Sequence, residues 1–190
     1  MARMAAVVAV AMATLAGAAT ARAEQSAVPV VQGVDLLRYS GRWHEIAAIP
    51  AWFQRKCAAD TTADYAPAAD GRITVVNACR EADGTLREAT GTARPVGQPG
   101  EGKLVVTFLS VFGIPVWLAG GDYWIMALDP DYRWSLVGHP TRDYAWILSR
   151  TPTLPMETLV DLRQRLSAAG YDPCRLIVTA DPRRQRLCDL

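Results

Sequence analysis

The chain has 190 residues, 51% of them hydrophobic, and its 20 basic and 19 acidic side chains leave a formal net charge of +1. A balance this even provides no electrostatic footprint for a nucleic-acid partner. The four cysteines and two histidines show no close Cys/His ligand spacing, so neither a metal nor another cofactor is expected.

In chain order, the first segment reads as a targeting signal. Met1-Ala2-Arg3 is a positive start, Met4 to Ala19 is almost wholly apolar or small, and Ala21-Arg22-Ala23 has the small-x-small form of a cleavage site. The apolar run falls short of the ~20 residues that a membrane span needs. Cleavage removes residues 1–23 and leaves residues 24–190, 167 residues, as one domain. A domain of that size buries roughly 70% of its unfolded surface. No cysteine stands near the cleavage site to carry a lipid anchor, and no later segment reads as a span. The expectation is a soluble exported protein, periplasmic in a Gram-negative host.

The remainder is a series of short apolar segments broken by turn signals, the pattern of an all-β barrel or sandwich. Strands are predicted over 43–49, 58–66, 73–80, 86–95, 103–109, 123–128, 134–138 and 144–150, with turns at Ala69-Asp70-Gly71 and Asp83-Gly84. One helix follows, capped by Thr153, with Pro155 in its first turn and Gly170 at its end. Leu159, Leu162 and Leu166 form its apolar face, which docks on the domain itself. A short final strand is predicted over 175–179. Eight strands joined mostly by tight turns favour an antiparallel up-and-down barrel, which leaves no free sheet edge. A sandwich is the alternative.

Cys57, Cys79, Cys174 and Cys188 all lie in the exported part, where an even count suggests two disulfides in one of three connectivities. Cys57 and Cys79 flank a predicted hairpin, which favours their pairing and leaves Cys174–Cys188 to clip the last strand to the tail. Arg183, Arg184 and Arg186 make the one basic cluster, read as a solvated tail, with an anionic membrane surface as the second reading.

Three short motifs resemble those of the lipocalins. Gly41-Arg42-Trp43-His44-Glu45-Ile46-Ala47 matches the family's first-strand motif, with His44 where Tyr is usual. Asp129-Pro130-Asp131-Tyr132 looks like the second motif, between the sixth and seventh strands, with Pro130 departing from a common Tyr. The run from Asp143 to Pro152, containing Trp146-Ile147-Leu148-Ser149-Arg150, is very similar to the third motif as found in bacterial outer-membrane lipocalins and apolipoprotein D. The likeness spans residues 34–179. It implies a closed eight-stranded cup with one helix packed outside and a short final strand. It also implies structural roles for Gly41, Trp43, Asp129 and Arg150, with the Arg150 guanidinium lying across the Trp43 indole at the closed base. Resemblance to apolipoprotein D suggests a competing disulfide, Cys57–Cys188, which leaves Cys79 with Cys174.

In such a cup, strand alternation with Trp43 inward places Ala63, Tyr65, Ile73, Val75, Asn77, Val106, Phe108, Tyr123, Ile125, Tyr144, Trp146 and Leu148 on the interior. This lining suits a long apolar ligand with a polar end. A filled core is the alternative for a barrel of this size. Glu45 shares the parity of Trp43, so its carboxyl points inward and needs a partner, expected within the barrel base. Lipocalin topology puts Ile49 to Phe53, including Trp52 and Phe53, and Val111 to Leu118 in loops at the open end. That apolar rim suits a lid over the ligand, a transient membrane contact, or a homodimer interface.

The resemblance implies a carrier of a small hydrophobic ligand such as a fatty acid, a lysophospholipid or a related membrane-derived lipid, and not an enzyme. Two alternatives stand beside it. A few lipocalins are isomerases or epoxide-converting enzymes, yet no Ser/His/Asp arrangement is legible here. A haem or pigment binder would need His44, expected to face outward, or His139, expected in a loop near the mouth.

Overall fold

The computed structural model describes residues 27–181 and 183–190. The predicted signal, residues 1–23, lies outside the described residues. A one-turn helix α1 (Leu36–Tyr39) leads into β1 (Gly41–Ala48), β2 (Ala59–Pro67), β3 (Ile73–Arg80), β4 (Leu86–Pro95) and β5 (Lys103–Thr107). A small hairpin of β6 (Ser110–Val111) and β7 (Ile114–Pro115) precedes β8 (Gly121–Leu128), β9 (Trp134–Gly138) and β10 (Ala145–Ser149). Helix α2 (Met156–Ala168) and β11 (Ile177–Val178) complete the chain's regular elements.

Eight strands pair antiparallel in the order β1-β2-β3-β4-β5-β8-β9-β10. β10 then pairs back onto β1, with His44 opposite Ser149 and Glu45 opposite Leu148, so the sheet closes into a barrel. β11 lies outside it, with Val178 opposite Ala47. The fifth predicted strand stops at Thr107 rather than Leu109, because the chain turns at Phe108 into the β6–β7 hairpin. The final strand is two residues long because Pro173–Arg175 forms a 3-10 turn ahead of it.

Two apolar cores follow from strand alternation. Inside, near one end, Trp43, Tyr65, Ile73, Val75, Ile125, Val137 and Leu148 pack together. Outside, Leu159, Leu162 and Leu166 of α2 pack with Ile46, Ala47, Leu136 and Ile147 of the barrel. A register shift between Glu45 and Ala47 accompanies the placing of Ile46 and Ala47, consecutive residues, in this same outer core. Each buried leucine is worth about 1.5–3 kcal/mol of removed apolar surface.

The helix ends differ in how they are capped. Pro155, not Thr153, holds the N-cap position, without a side-chain cap. The Thr153 carbonyl instead accepts from Thr151 Oγ1 at 2.7 Å, so Thr153 belongs to the turn before the helix. At the other end Gly170 (φ +79°) terminates α2. Its N–H reaches the Ser167 carbonyl and the Tyr171 N–H reaches the Leu166 carbonyl, the paired bonds of a Schellman motif.

The closed end is built around Arg150. Its guanidinium lies 3.9 Å from the centroid of the fully buried Trp43 ring. It also donates to the carbonyls of Arg38 (2.8 Å), Arg42 (2.9 Å), Tyr39 (3.1 Å) and Tyr132 (3.3 Å). One side chain thereby joins α1, β1 and the β8–β9 turn. Gly41 takes a left-handed φ of +92°, which a side chain would strain, where the chain turns from α1 into β1 beside Arg150. Trp43 Nε1 donates to the Tyr39 carbonyl at 2.8 Å. Asp129, buried in the β8–β9 turn, accepts from the backbone N–H of Asp131 and Arg133 and from the Arg133 guanidinium, which holds its carboxyl below the usual range.

Cys57 is bonded to Cys79 (Cα–Cα 5.5 Å) and Cys174 to Cys188 (4.9 Å), so the Cys57–Cys188 alternative is not formed. The first ties the β1–β2 loop to the end of β3. The second ties the turn before β11 to the tail.

Arg150→Ala should lower the folding free energy by about 2–4 kcal/mol, because it removes the stacked cation and the four hydrogen bonds that tie three segments together. Urea unfolding should show that loss, while affinity for a bound ligand changes little. Peptide mapping of the unreduced protein should recover the 57–79 and 174–188 crosslinks, and C174S/C188S should cost about 3 kcal/mol by releasing a short loop.

Candidate ligand-binding cavity

Above the closed end the barrel is hollow. A cavity of about 640 Å³ opens at the end carrying the β1–β2, β3–β4, β5–β8 and β9–β10 connections. That volume lies within the range of small-molecule sites. The inward positions of β4, Ala89, Gly91 and Ala93, are minimal in size. Ala89 lines the space directly. Gly91 has no room for a side chain, because a Cβ there would lie 2.8 Å from the Phe108 ring. Sequence reading assigned no interior residue to β4, although this alternation of small residues was the available signal.

The structure brings most of the predicted lining together. Ala63 and Tyr65 of β2, Val75 and Asn77 of β3, Val106 of β5 and Tyr123 of β8 face the cavity. So do Trp146 of β10 and, nearer the mouth, Trp52, Phe53, Phe108 and Tyr144. Two predicted residues do not reach it. Ile73 and Ile125 point inward but sit lower, in the packed floor with Trp43. The reason is the N-terminal segment, which crosses beneath the barrel. Its Val31 N–H donates to the Ile125 carbonyl, and the Gly102 N–H donates to the Val31 carbonyl. That crossing helps to close the level at which Ile125 lies.

An aromatic column runs down one wall. Trp52 meets Phe53 edge-on at 5.6 Å, Phe53 meets Tyr144 at 5.9 Å, and Tyr144 stacks on Trp146 at 6.0 Å. Below it is a polar group that sequence reading did not find, Gln54. The Trp146 indole N–H donates to Gln54 Oε1 at 3.4 Å, and Gln54 Nε2 donates to Glu45 Oε2 at 2.6 Å. Glu45 is therefore inward and partnered, but its partner is on the mouth loop and not in the barrel base. Only 8% of it is exposed, and burial pushes its pKa up, against the smaller opposing effects of Gln54, Thr179 and Arg184.

The cavity floor carries three buried tyrosines. Tyr65 donates to the Tyr123 hydroxyl at 3.0 Å, and Tyr39 donates to Ser135 Oγ at 3.0 Å. Each hydroxyl has one proton, so the 2.8 Å contact between Tyr123 and Tyr39 is donated by Tyr123. The relay runs Tyr65 to Tyr123 to Tyr39 to Ser135. Burial raises all three phenols, Tyr39 to about 12. They are neutral hydrogen-bonding groups at any physiological pH.

Of the two histidines, only His139 lines the cavity, with Nδ1 2.9 Å from Thr141 Oγ1. His44 has the opposite strand parity to Trp43 and pairs in register with Thr62 and Ser149. All four cysteines are in disulfides, so no thiol nucleophile is present. Among the described residues, no group of three or more His, Cys, Asp or Glu could hold a metal ion. Among them too, no helix is long and apolar enough to cross a membrane.

A closed antiparallel barrel with an outer helix, an Arg–Trp floor and an open cavity defines the class of β-barrel binding proteins. The sequence model of the Lipocalin-like domain matches residues 34–181, and the chain belongs to the lipocalin family. It is 39% identical to temperature-induced lipocalin-1 of Arabidopsis thaliana over 155 residues, covering 80% of this chain and 82% of that one. It is 36% identical to the outer membrane lipoprotein Blc of Escherichia coli K12 over 156 residues, covering 82% and 84%. In fold it is similar to insecticyanin of Manduca sexta, with a TM-score of 0.62, 23% identity, and coverage of 80% of this chain and 82% of that one. The family is known for binding small hydrophobic ligands.

The raised pKa of Glu45 has a signature in stability. A carboxyl that holds its proton more tightly when folded favours the native state below its unfolded pKa, and that advantage is lost as pH rises through the folded value. Glu45→Gln should therefore raise the urea midpoint relative to the parent at about pH 8, and the difference should shrink toward about pH 4.

Proposed function

We propose that the protein carries a single-chain, membrane-derived lipid, with its apolar chain in the barrel cavity and its polar end among the cavity's few polar groups. The observation that supports this reading is the open cavity of about 640 Å³ with an aromatic wall. Burying ~300 Å² of acyl chain there supplies roughly 7 kcal/mol before ordering costs, enough for useful retention. The same site has no thiol, and its one histidine, His139, has Thr141 at Nδ1 and Asp122 near Nε2, which favours carriage over isomerase, epoxide-converting or haem-binding activity.

The loops around the opening support delivery at a membrane surface. Phe112 and Leu118 are fully exposed, and Trp52, Val111 and Ile114 are exposed beside them. Phe112 sits at the tip of the β6–β7 hairpin in a left-handed conformation (φ +50°). Large apolar side chains projecting around a cavity mouth suit insertion among lipid headgroups. Export agrees with both features, since two disulfides belong in an oxidising compartment.

Two measurements test the reading. Ala63→Phe places a ring in the cavity and should weaken binding of a fluorescent acyl probe by about tenfold or more, with the β-sheet circular dichroism unchanged. F112S/L118S should slow lipid pickup from phosphatidylcholine vesicles several-fold while leaving affinity for dissolved probe intact. An unchanged transfer rate removes the membrane contact, and loss of a dimer in sedimentation would assign the loops to a homodimer instead.

A further inference from the structure

Among the described residues, every lysine and arginine side chain but two has a partner within the fold. The two exceptions are neighbours, Arg55 and Lys56. They are the central residues of a turn closed by the Cys57 N–H on the Gln54 carbonyl at 2.9 Å, and both are exposed. The turn is clamped on both sides, since Gln54 donates to Glu45 at 2.6 Å and Cys57 is bonded to Cys79. Immediately before it, Trp52 and Phe53 stand 67% and 45% exposed at the cavity mouth.

The surroundings offer these cations no carboxylate. No acidic residue lies between Ile49 and Ala58. The acids nearest in the chain are engaged elsewhere, Glu45 by Gln54 and Asp60 by Arg80 at 3.3 Å. Arg55 also lines a side pocket of about 420 Å³ together with Arg184, whose guanidinium reaches the Ala58 carbonyl at 3.4 Å, and Asp181 beside Arg184 is held by Arg183 at 2.7 Å. The other large mouth segment, residues 108–119, is uncharged.

We infer that the β1–β2 loop docks on lipid bilayers that bear anionic headgroups, with Trp52 and Phe53 entering the interface and Arg55 and Lys56 meeting the phosphates. This rests on the membrane contact proposed above and adds to it a choice of surface. Aromatic rings settle at headgroup level, and basic side chains beside them gain from a negative surface potential, by about fivefold in binding for each cation. Bulk attraction does not supply that preference, because residues 24–190 have a formal net charge of −1, the chain's +1 less Arg3 and Arg22. The preference comes from where the two cations are held.

The test is co-sedimentation of the full protein with vesicles of phosphatidylcholine alone, or of phosphatidylcholine with one-third phosphatidylglycerol. At low salt the mixed vesicles should bind about tenfold or more tightly, and the difference should collapse at high salt. R55Q/K56Q should bring the two vesicles to within about twofold of each other. R72Q/R165Q removes equal charge from the β2–β3 turn at the closed end and from α2, and should keep the preference. Affinity for a dissolved acyl probe should be unchanged in both variants, which checks the fold and the cavity. Equal binding to the two vesicles, a preference that survives R55Q/K56Q, or one lost to the same extent in R72Q/R165Q overturns the inference and leaves the membrane contact standing. Binding to neither vesicle removes the membrane contact and the inference with it, while probe binding decides the carrier reading separately.

Discussion

The structure depends on one cation held against one indole. Arg150 closes the barrel base by stacking on Trp43 and by donating to four carbonyls from three separate segments. A guanidinium is suited to this because its flat fork meets an aromatic face and several acceptors at once, without losing its charge. Burial on one side lowers its pKa, yet Arg remains protonated in proteins. With the base fixed in this way, the other end of the barrel can remain open without loss of register.

The division of labour between the two ends has a physical basis. The closed end holds the buried aromatic and β-branched side chains together with the N-terminal segment that crosses beneath them. The outer core adds α2 against β1, β9 and β10, on the side where the barrel is closed by β10 and β1. Stability is concentrated there. The open end is lined by Ala89 of β4, by stacked aromatics, and by loops with exposed apolar tips. Space for a ligand exists because the two cores do not need that volume.

Much of this was legible in the sequence. The turn residues and two-residue alternation located the barrel strands, and the three motifs located the base. Alternation also placed Ala63, Tyr65, Val75, Asn77, Val106, Tyr123 and Trp146 on the cavity. What it lacked was height along the barrel axis. Ile73 and Ile125 have the right parity but the wrong level, because parity says nothing of which segment crosses the floor. A helix as short as α1 leaves too little periodicity to detect. Gln54 sits in a loop, where no repeat predicts direction, so the partner of Glu45 was assigned to the wrong place. Residue type alone points to Thr153 as the helix cap, whereas Pro155, fixed near the required φ by its ring, holds that position.

The minimal side chains of β4 bear on how such a container changes over time. Gly91 is locked by the Thr107 carbonyl, 2.7 Å from where a Cβ would stand, and by the Phe108 ring. Ala89, two residues nearer the rim, faces the hollow. Capacity can therefore be trimmed by single enlargements at Ala89, without disturbing the Arg150–Trp43 base. The volume of the hollow and the bracing of the base are thus written on different strands, so the one can drift under selection while the other is kept.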